Sequence, residues 1–361
     1  MKVPAKALRR IDHVWQHKGI VSTLLLPLSW LTRLAVFLKR TRYRQSASGG
    51  SHDESTQPVI VVGNIVTGGT GKTPVVIALA NFLREKGWHP GIISRGYGVA
   101  VKGQPRVGHG DLDAAGFGDE PALIARATQA PLAIHPRRSL ALRALIHANP
   151  DVDVIVSDDG LQHLALPRDI EIIVQDGRGQ GNGRLLPAGP LREPVGRLAE
   201  VDYVVTNLTA GCEPPPQLKI RARQITMQLL PQRVVHLTSG RSATWHEWLA
   251  REATGTVAAV AAVGQPQRFF SMLRAGGLRL VETVALPDHH PYHESPFAAL
   301  TATHILITPK DAVKCAHFAD PRLWVVNVAT QFSDEGWLED LNAKLHTLTE
   351  KKKTGRITLS V

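Results

Sequence analysis

The sequence predicts an α/β fold: a P-loop NTPase-like parallel sheet with helices on both faces, a smaller second α/β module, and an N-terminal amphipathic membrane-associated helix. Three observations lead there. Apolar, β-branched runs alternate with helical periodicity from residue 58 to about 330. A glycine-rich turn, TGGTGKT (67–73), joins the first such run to the first such helix. The basic charge is concentrated at one end.

That end comes first in the chain. The 361 residues carry a formal net charge of +11. Residues 1–44 hold ten basic side chains and one acid, Asp12, so this segment alone is +9 and the remaining body only +2. Between Gly19 and Thr32 runs GIVSTLLLPLSWLT, 14 uncharged and mostly apolar residues. A spanning helix needs about 20 such residues and an asymmetric charge distribution. Here cations flank both sides, and LKRTRYR follows where a signal peptide would show a small-residue cleavage site. The pattern predicts an element lying in the interface, with Lys and Arg on anionic lipid and Trp15 and Trp30 at headgroup depth. A buried helix with a solvated basic flank is the alternative, and a single true span over 18–38 stays open. A near-neutral body without an aromatic–basic RNA motif argues against nucleic acid. Two cysteines, Cys212 and Cys315, cannot build a disulfide framework.

Residues 45–57, QSASGGSHDESTQ, have the composition of a linker. PVIVVGN (58–64) reads as a buried strand, and helical periodicity runs from Lys72 to about Lys86, with Gly87 as its stop. Further strands are expected at 91–94, 131–134, 152–157, 170–174 and 202–206, with helices at 120–129 and 137–148 between them. GCEPPP (211–216) breaks the alternation. A second set follows at 257–263, after Pro266, at 279–285, at 304–308, after Lys310 and at 323–328, and EKKKTGR (350–356) reads as a solvated tail.

The strongest chemical signal is the turn at 67–73. Between a strand and a helix, a loop of this kind exposes the backbone N–H groups of Gly68, Gly69, Thr70 and Gly71, together with a helix N-terminus, to phosphate oxygens. Lys72 would bind the β- and γ-phosphates of ATP and the Thr73 hydroxyl would ligate Mg²⁺. Val66 stands where the strict motif has its first glycine. Some 80 residues on, DVIVSDDG (153–160) ends a strand in two carboxylates, Asp158 and Asp159, the place where such folds hold Mg²⁺. Side chains alternate at a strand end, so one of the two is expected to face the metal; capping of a turn is the alternative. Gln162 and His163 extend this motif to DDGLQH. Arg95 of SRGYG follows a strand and lies at the carboxyl edge. GDEP (118–121) opens a helix, with Asp119 a possible N-cap; Arg137 and Arg138 open another. GPLRE (189–193) offers Arg192 to transferred phosphate, beside Glu193. DHHPY (288–292) lacks the further spaced ligands a zinc site needs, which leaves a solvated histidine pair or a catalytic one.

Taken together, VVGNIVTGGTGKTP, ISRGYG, GDEP, SDDGLQH, LLPAGPLREP, DHHPY and TPKDAVK resemble the tetraacyldisaccharide 4′-kinase family, the lipid A kinases of Gram-negative bacteria. They occur in the family's order from 58 to 314. Pro309 departs from it, where an acidic residue is expected. The resemblance implies ATP-dependent phosphorylation of the 4′-hydroxyl of the lipid A disaccharide 1-phosphate, giving lipid IVA, with Mg²⁺. It implies Asp119 as the base and His289 as its partner, with Lys72 and Arg192 stabilising charge, while His290 stays an alternative to His289. Arg95, Arg138, Gln162, His163 and Glu193 become acceptor-binding candidates. It also implies work at the cytoplasmic face of the inner membrane, peripheral or monotopic, with an anionic membrane surface and no obligate protein partner. The expected division is 1–45 as membrane anchor, 46–57 as linker, 58–210 as P-loop kinase core, 211–255 as connection and 256–361 as the smaller module.

A membrane-bound regulatory ATPase of the positioning or partition type also has a GG-x-GKT loop and an amphipathic anchor. Those switches carry an extra lysine early in the loop, where this chain has Thr67. A soluble small-molecule kinase would not need residues 15–44.

Overall fold

The structure, a computed structural model, describes residues 13–48, 55–252 and 254–359. The first twelve residues of the basic end and residues 49–54 of the expected linker lie outside the described residues. The chain divides into two compact units. The first is Met1–Thr206, Pro215–Thr226 and Ser333–Val361; the second is Asn207–Pro214 and Met227–Phe332.

In the first unit the strands are β1 (Val59–Gly63), β2 (Pro90–Ser94), β3 (Arg106–Gly108), β4 (Leu132–Ile134), β5 (Val154–Asp158), β6 (Ile170–Asp176) and β7 (Tyr203–Leu208). They lie in the order β3-β4-β2-β5-β1-β6-β7. β1 is parallel to both β5 and β6, β2 is parallel to β5 and β4, and the short edge strand β3 is antiparallel to β4. Every residue of β1, β2 and β5 is buried. Burial on both faces is why these strands read as continuous apolar runs without alternation. The Lys72–Glu85 helix buries Val75, Val76, Leu79, Ala80 and Leu83, a stripe at helical spacing.

The Gly336–Leu359 helix, placed by sequence in the second module, belongs to the first unit. Trp337 packs edge-on against Tyr203 at 5.5 Å, and the Trp88 indole N–H donates to Asn342 Oδ1 at 2.8 Å. Its end is not simply a solvated tail. Lys352 Nζ donates to Asp169 Oδ2 at 2.7 Å and to the carbonyls of Ser55 and Gln57, while Lys351 and Lys353 do not share that anchorage.

In the second unit β10 (Val257–Ala261), β11 (Leu280–Ala285), β12 (His304–Ile307) and β13 (Leu323–Phe332) run parallel in the order β11-β10-β12-β13. β8 (Arg223–His236), which enters this unit at Met227, and β9 (Ser242–Thr244) add antiparallel pairing. One core layer gathers Trp248, Phe270 and Trp324; the other gathers Tyr292, Phe297 and Cys315. β8 falls in the segment read as a connection. Pro231 disguises it, and the ladder tolerates Pro231 because the register shifts there, opposite Asn327 and Val328.

The N-terminal helices Ile20–Leu24 and Leu26–Ser48 reverse the usual pattern. Their buried side chains are polar. Ser22 donates to the Ala188 carbonyl at 2.6 Å and Ser29 to the Leu185 carbonyl at 2.8 Å. Asn182 Nδ2 donates to the carbonyls of Val14 and Ala188 and to Ser22 Oγ. The outward side chains are apolar: Ile20, Leu24, Trp30, Leu34 and Phe37 are each more than half exposed. Trp15, expected at headgroup depth with Trp30, instead donates its indole N–H to the Pro187 carbonyl at 3.0 Å and packs on the protein. Among the described residues no helix is long and apolar enough to cross a membrane.

Candidate active site at the carboxyl edge of the first unit

β1 ends at Gly63 and the chain turns through 64–71 before the Lys72 helix. Gly68 and Gly71 both sit at positive φ, +94° and +92°, which the turn requires and which L side chains avoid. Asn64, fully buried, closes the turn from inside: its Nδ2 donates to the Gly68 carbonyl at 3.3 Å and to Thr70 Oγ1 at 3.4 Å. The 189–193 segment closes it from outside. Thr67 N donates to the Pro190 carbonyl and Arg192 N to the Ile65 carbonyl, at 2.9 and 2.7 Å. Val66 pairs with Leu191 in an isolated bridge, so the residue that departs from the strict motif is a packing position.

The carboxylate pair meets this loop from β5. Asp158, the last strand residue, is buried and accepts from Ser94 Oγ at 3.0 Å. Burial, then the nearby Glu120 and Asp159, push its pKa up to about 6. Asp159 leaves the strand at φ +51°, an unfavourable conformation for a non-glycine residue held by its surroundings. Its Oδ1 lies 3.4 Å from Lys72 Nζ and 3.9 Å from Arg192 Nη1. Burial works to raise Asp159, but these two cations hold it below the ordinary carboxylate range. Asp158 thus meets Ser94 while Asp159, just past the strand end, meets Lys72 and Arg192. Asp159 Oδ1 is buried with no well-formed hydrogen bond, next along the chain to the buried carboxylate of Asp158. The pair fits Mg²⁺, a hard cation that is usually bound by one or two carboxylates together with phosphate and water. No group of three or more His, Cys, Asp or Glu able to hold a metal occurs among the described residues.

The remaining candidates of the first unit divide by depth. Arg138 is buried; Nη1 donates to the His135 carbonyl, and Nη2 lies 3.3 and 3.4 Å from the carbonyls of Asp158 and Asp159. Burial lowers its pKa to about 10. Its donors thus hold the backbone of the carboxylate pair. Gln162 Nε2 bridges the Asn64 carbonyl at 3.0 Å and Glu193 Oε1 at 2.7 Å, and buried Glu193 also faces Arg197. These two brace the loop from beneath. His163 is half-buried, and burial, then Arg138 and Lys39, lower it to about 4, so it is neutral at pH 7. Arg95 is exposed. Asp119 is the first residue of its helix and Gly118 the N-cap, so the capping alternative does not hold; a Cβ at Gly118 would meet the Tyr97 carbonyl at 2.7 Å.

Sequence reasoning missed the internal role of Asn64, and it missed Arg178, whose guanidinium lies against Gly68. The signal for Arg178 was present: a strand ending in acid, then a glycine-rich turn, DGRGQGNG (176–183), at the same sheet edge.

Asp119 belongs to the first unit and His289 to the second. His289 sits at φ +58°, and its backbone N–H donates to Asp288 Oδ1 at 3.0 Å. Asp288 also pairs with Lys310 at 3.2 Å. His290 stacks edge-on against the Tyr292 ring at 4.9 Å.

Residues 21–346 match the family described as tetraacyldisaccharide-1-P 4′-kinase. The chain belongs to this family. It is 52% identical over 345 residues to the tetraacyldisaccharide 4′-kinase of Bordetella parapertussis, covering 96% of this chain and 99% of that one. The Vibrio cholerae enzyme of that name is 41% identical over 330 residues, covering 90% and 93%. A crystal structure of LpxK from Aquifex aeolicus in complex with ATP superposes with a TM-score of 0.74 at 26% identity, over 90% of this chain and 99% of that one.

Proposed function

We propose that this member of the family transfers the γ-phosphoryl group of ATP to the 4′-hydroxyl of tetraacyldisaccharide 1-phosphate, at a membrane surface. The observation that carries the reading is the closed phosphate loop, with Lys72 and Arg192 drawn to Asp159 at its mouth. In the reaction Asp119 takes the proton of the acceptor hydroxyl, the oxygen attacks the γ-phosphorus, and ADP leaves as the bond to its bridging oxygen breaks. His289 takes the role that the resemblance gives it, raising the competence of Asp119 as a base. Lys72 and Arg192 meet the charge on the transferring group in an environment of low dielectric. Thr73, Asp158 and Asp159 would hold Mg²⁺, which supplies charge neutralisation along the triphosphate when bound. Arg95 and His163 face the acceptor headgroup, while Arg138, Gln162 and Glu193 keep the loops in place beneath it.

The acceptor is a lipid, and the inverted N-terminal helices supply a matching surface. Exposed Leu24, Trp30 and Phe37 enter the headgroup boundary of the inner membrane from its cytoplasmic face, and the basic residues around them meet anionic lipid. The test is incubation of the purified full chain with ATP and tetraacyldisaccharide 1-phosphate in detergent. ADP and a lipid bearing one added phosphate should form one for one. Asp119→Asn and His289→Ala should each lower kcat by about 10²-fold or more. Unchanged turnover of His289→Ala at saturating substrate would remove that residue from the chemistry.

A further inference from the structure

The strand beside the phosphate loop ends in a charged pair to which the reaction as described assigns no part. β6 lies parallel to β1 with Ile173 opposite Gly63, and it continues to Asp176, so its end reaches the level of the loop. Asp176 is buried and clamps Arg178. Arg178 N donates to Asp176 Oδ1 at 3.0 Å, and Nε lies 3.1 and 3.0 Å from the two carboxylate oxygens. Nη2 lies 2.9 Å from Oδ2 and is buried, but it lacks the alignment of a hydrogen bond. The guanidinium is therefore fixed by its Nε edge. What it is fixed against is the loop: a Cβ on Gly68 would stand 3.3 Å from Nη2 and 3.6 Å from Nη1. Nη1 makes no hydrogen bond among the described residues, and the side chain remains about one-third exposed.

A planar cation held at two points has lost its rotamer freedom before any ligand arrives. The cations at the other side of the loop, Lys72 and Arg192, share one carboxylate, Asp159. We propose that Arg178, held by Asp176, is a further positioning residue of the phosphate loop: it backs Gly68 and offers Nη1 to the oxygens of the bound triphosphate. Recognition of this kind grows with the number of phosphates and is blind to the acceptor. The proposal rests on reading 66–73 as the triphosphate cradle.

The experiment compares Mg²⁺-loaded ATP, ADP and AMP by calorimetry on the full chain in detergent. The chains are wild type, Arg178→Ala, Arg178→Lys, Asp176→Asn and Lys72→Ala, each with its Tm. Arg178→Ala should weaken ATP by about tenfold or more, the worth of one charge-assisted hydrogen bond. ADP should weaken less and AMP by less than about twofold, with KM for ATP rising in step and KM for the acceptor unmoved. Arg178→Lys should restore part of the loss, since it keeps the charge and loses the two-point clamp. If Arg178→Ala does not fold, Arg178→Lys and Asp176→Asn carry the same graded expectation. Equal losses for ATP and AMP, or ATP binding at wild-type strength while Lys72→Ala loses it, would overturn the proposal and leave the loop's assignment standing. Wild-type ATP binding in both Arg178→Ala and Lys72→Ala would overturn the cradle itself.

Discussion

Two regions of the first unit are built for opposite surroundings. At the carboxyl edge of β1, apolar strands are sealed inside, and the charged groups drawn in with them are answered by partners: Asp159 by Lys72 and Arg192, Asp158 by Ser94, Glu193 by Gln162 and Arg197. In the helices that begin at Ile20 the buried side chains, Ser22 and Ser29, are polar, and Ile20, Leu24, Trp30, Leu34 and Phe37 lie outside. Exposed apolar surface of this kind marks an interaction site, and a lipid acceptor gives the reason for it. On the proposed reading, the contrast teaches that one unit serves two solvents. Its chemistry needs a preorganised polar edge, and its substrate needs a greasy approach.

The sharpest way to break the comparison is at the edge. Lys72→Ala should lower kcat by about 10³-fold, because the transferred group loses a positioned cation, while Tm moves by only a few degrees. A loss of activity matched by unfolding would mean that Lys72 holds the structure rather than the phosphate. Next, Asp158→Asn should cost about 10²-fold in activity yet raise the Tm of the metal-free protein by a few degrees. The carboxylate is buried and its pKa raised, so the fold opposes its charge at neutral pH. Chelation of Mg²⁺ should abolish wild-type turnover, and readdition should restore it.

On the other side of the comparison, Leu24→Ser with Phe37→Ser should weaken binding to anionic vesicles by about tenfold and leave Tm unchanged, since both side chains are exposed. Ser29→Ala should do the reverse. It leaves the Leu185 carbonyl and the Ala188 N–H without their partner, a cost of about 1–2 kcal/mol in stability, and spares vesicle binding by any folded fraction. Flotation with a thermal melt separates the two. The smallest effect belongs to His163. Its folded pKa lies near 4, below the ordinary 6.5, so the fold favours the neutral ring. Stability from this group is complete above about pH 6.5 and is lost as pH falls toward 4. His163→Gln should flatten that part of the acid limb in melts between pH 7 and 4; an unaltered limb would contradict it.

The chemistry of the edge was legible because it is local. A strand, a glycine-rich turn, Gly71-Lys72-Thr73 and a helix follow one another along the chain, and β5 ends at Asp158 with Asp159 next to it. What depends on adjacency across the sheet was not. Nothing in GPLRE says that Arg192 N would close the loop on the Ile65 carbonyl, or that Glu193 would lie under Gln162. Arg138 read as a binding cation, and burial has turned it toward the backbone of Asp158 and Asp159. The apolar run from Gly19 was plain in the sequence, but its inversion was not, since Ser22 and Ser29 find their partners more than 150 residues away. β8 was hidden by a proline that its bulge absorbs, and the last helix by a lysine run of which Lys352 is drawn to Asp169.

The most direct measurement is the fate of the γ-phosphate of labelled ATP in anionic vesicles carrying tetraacyldisaccharide 1-phosphate. With the wild-type chain the label should appear on the 4′ position of the lipid, in step with ADP, and with folded Lys72→Ala it should stay on ATP. Label released as inorganic phosphate by the folded wild-type chain, with the lipid unlabelled, would contradict the account.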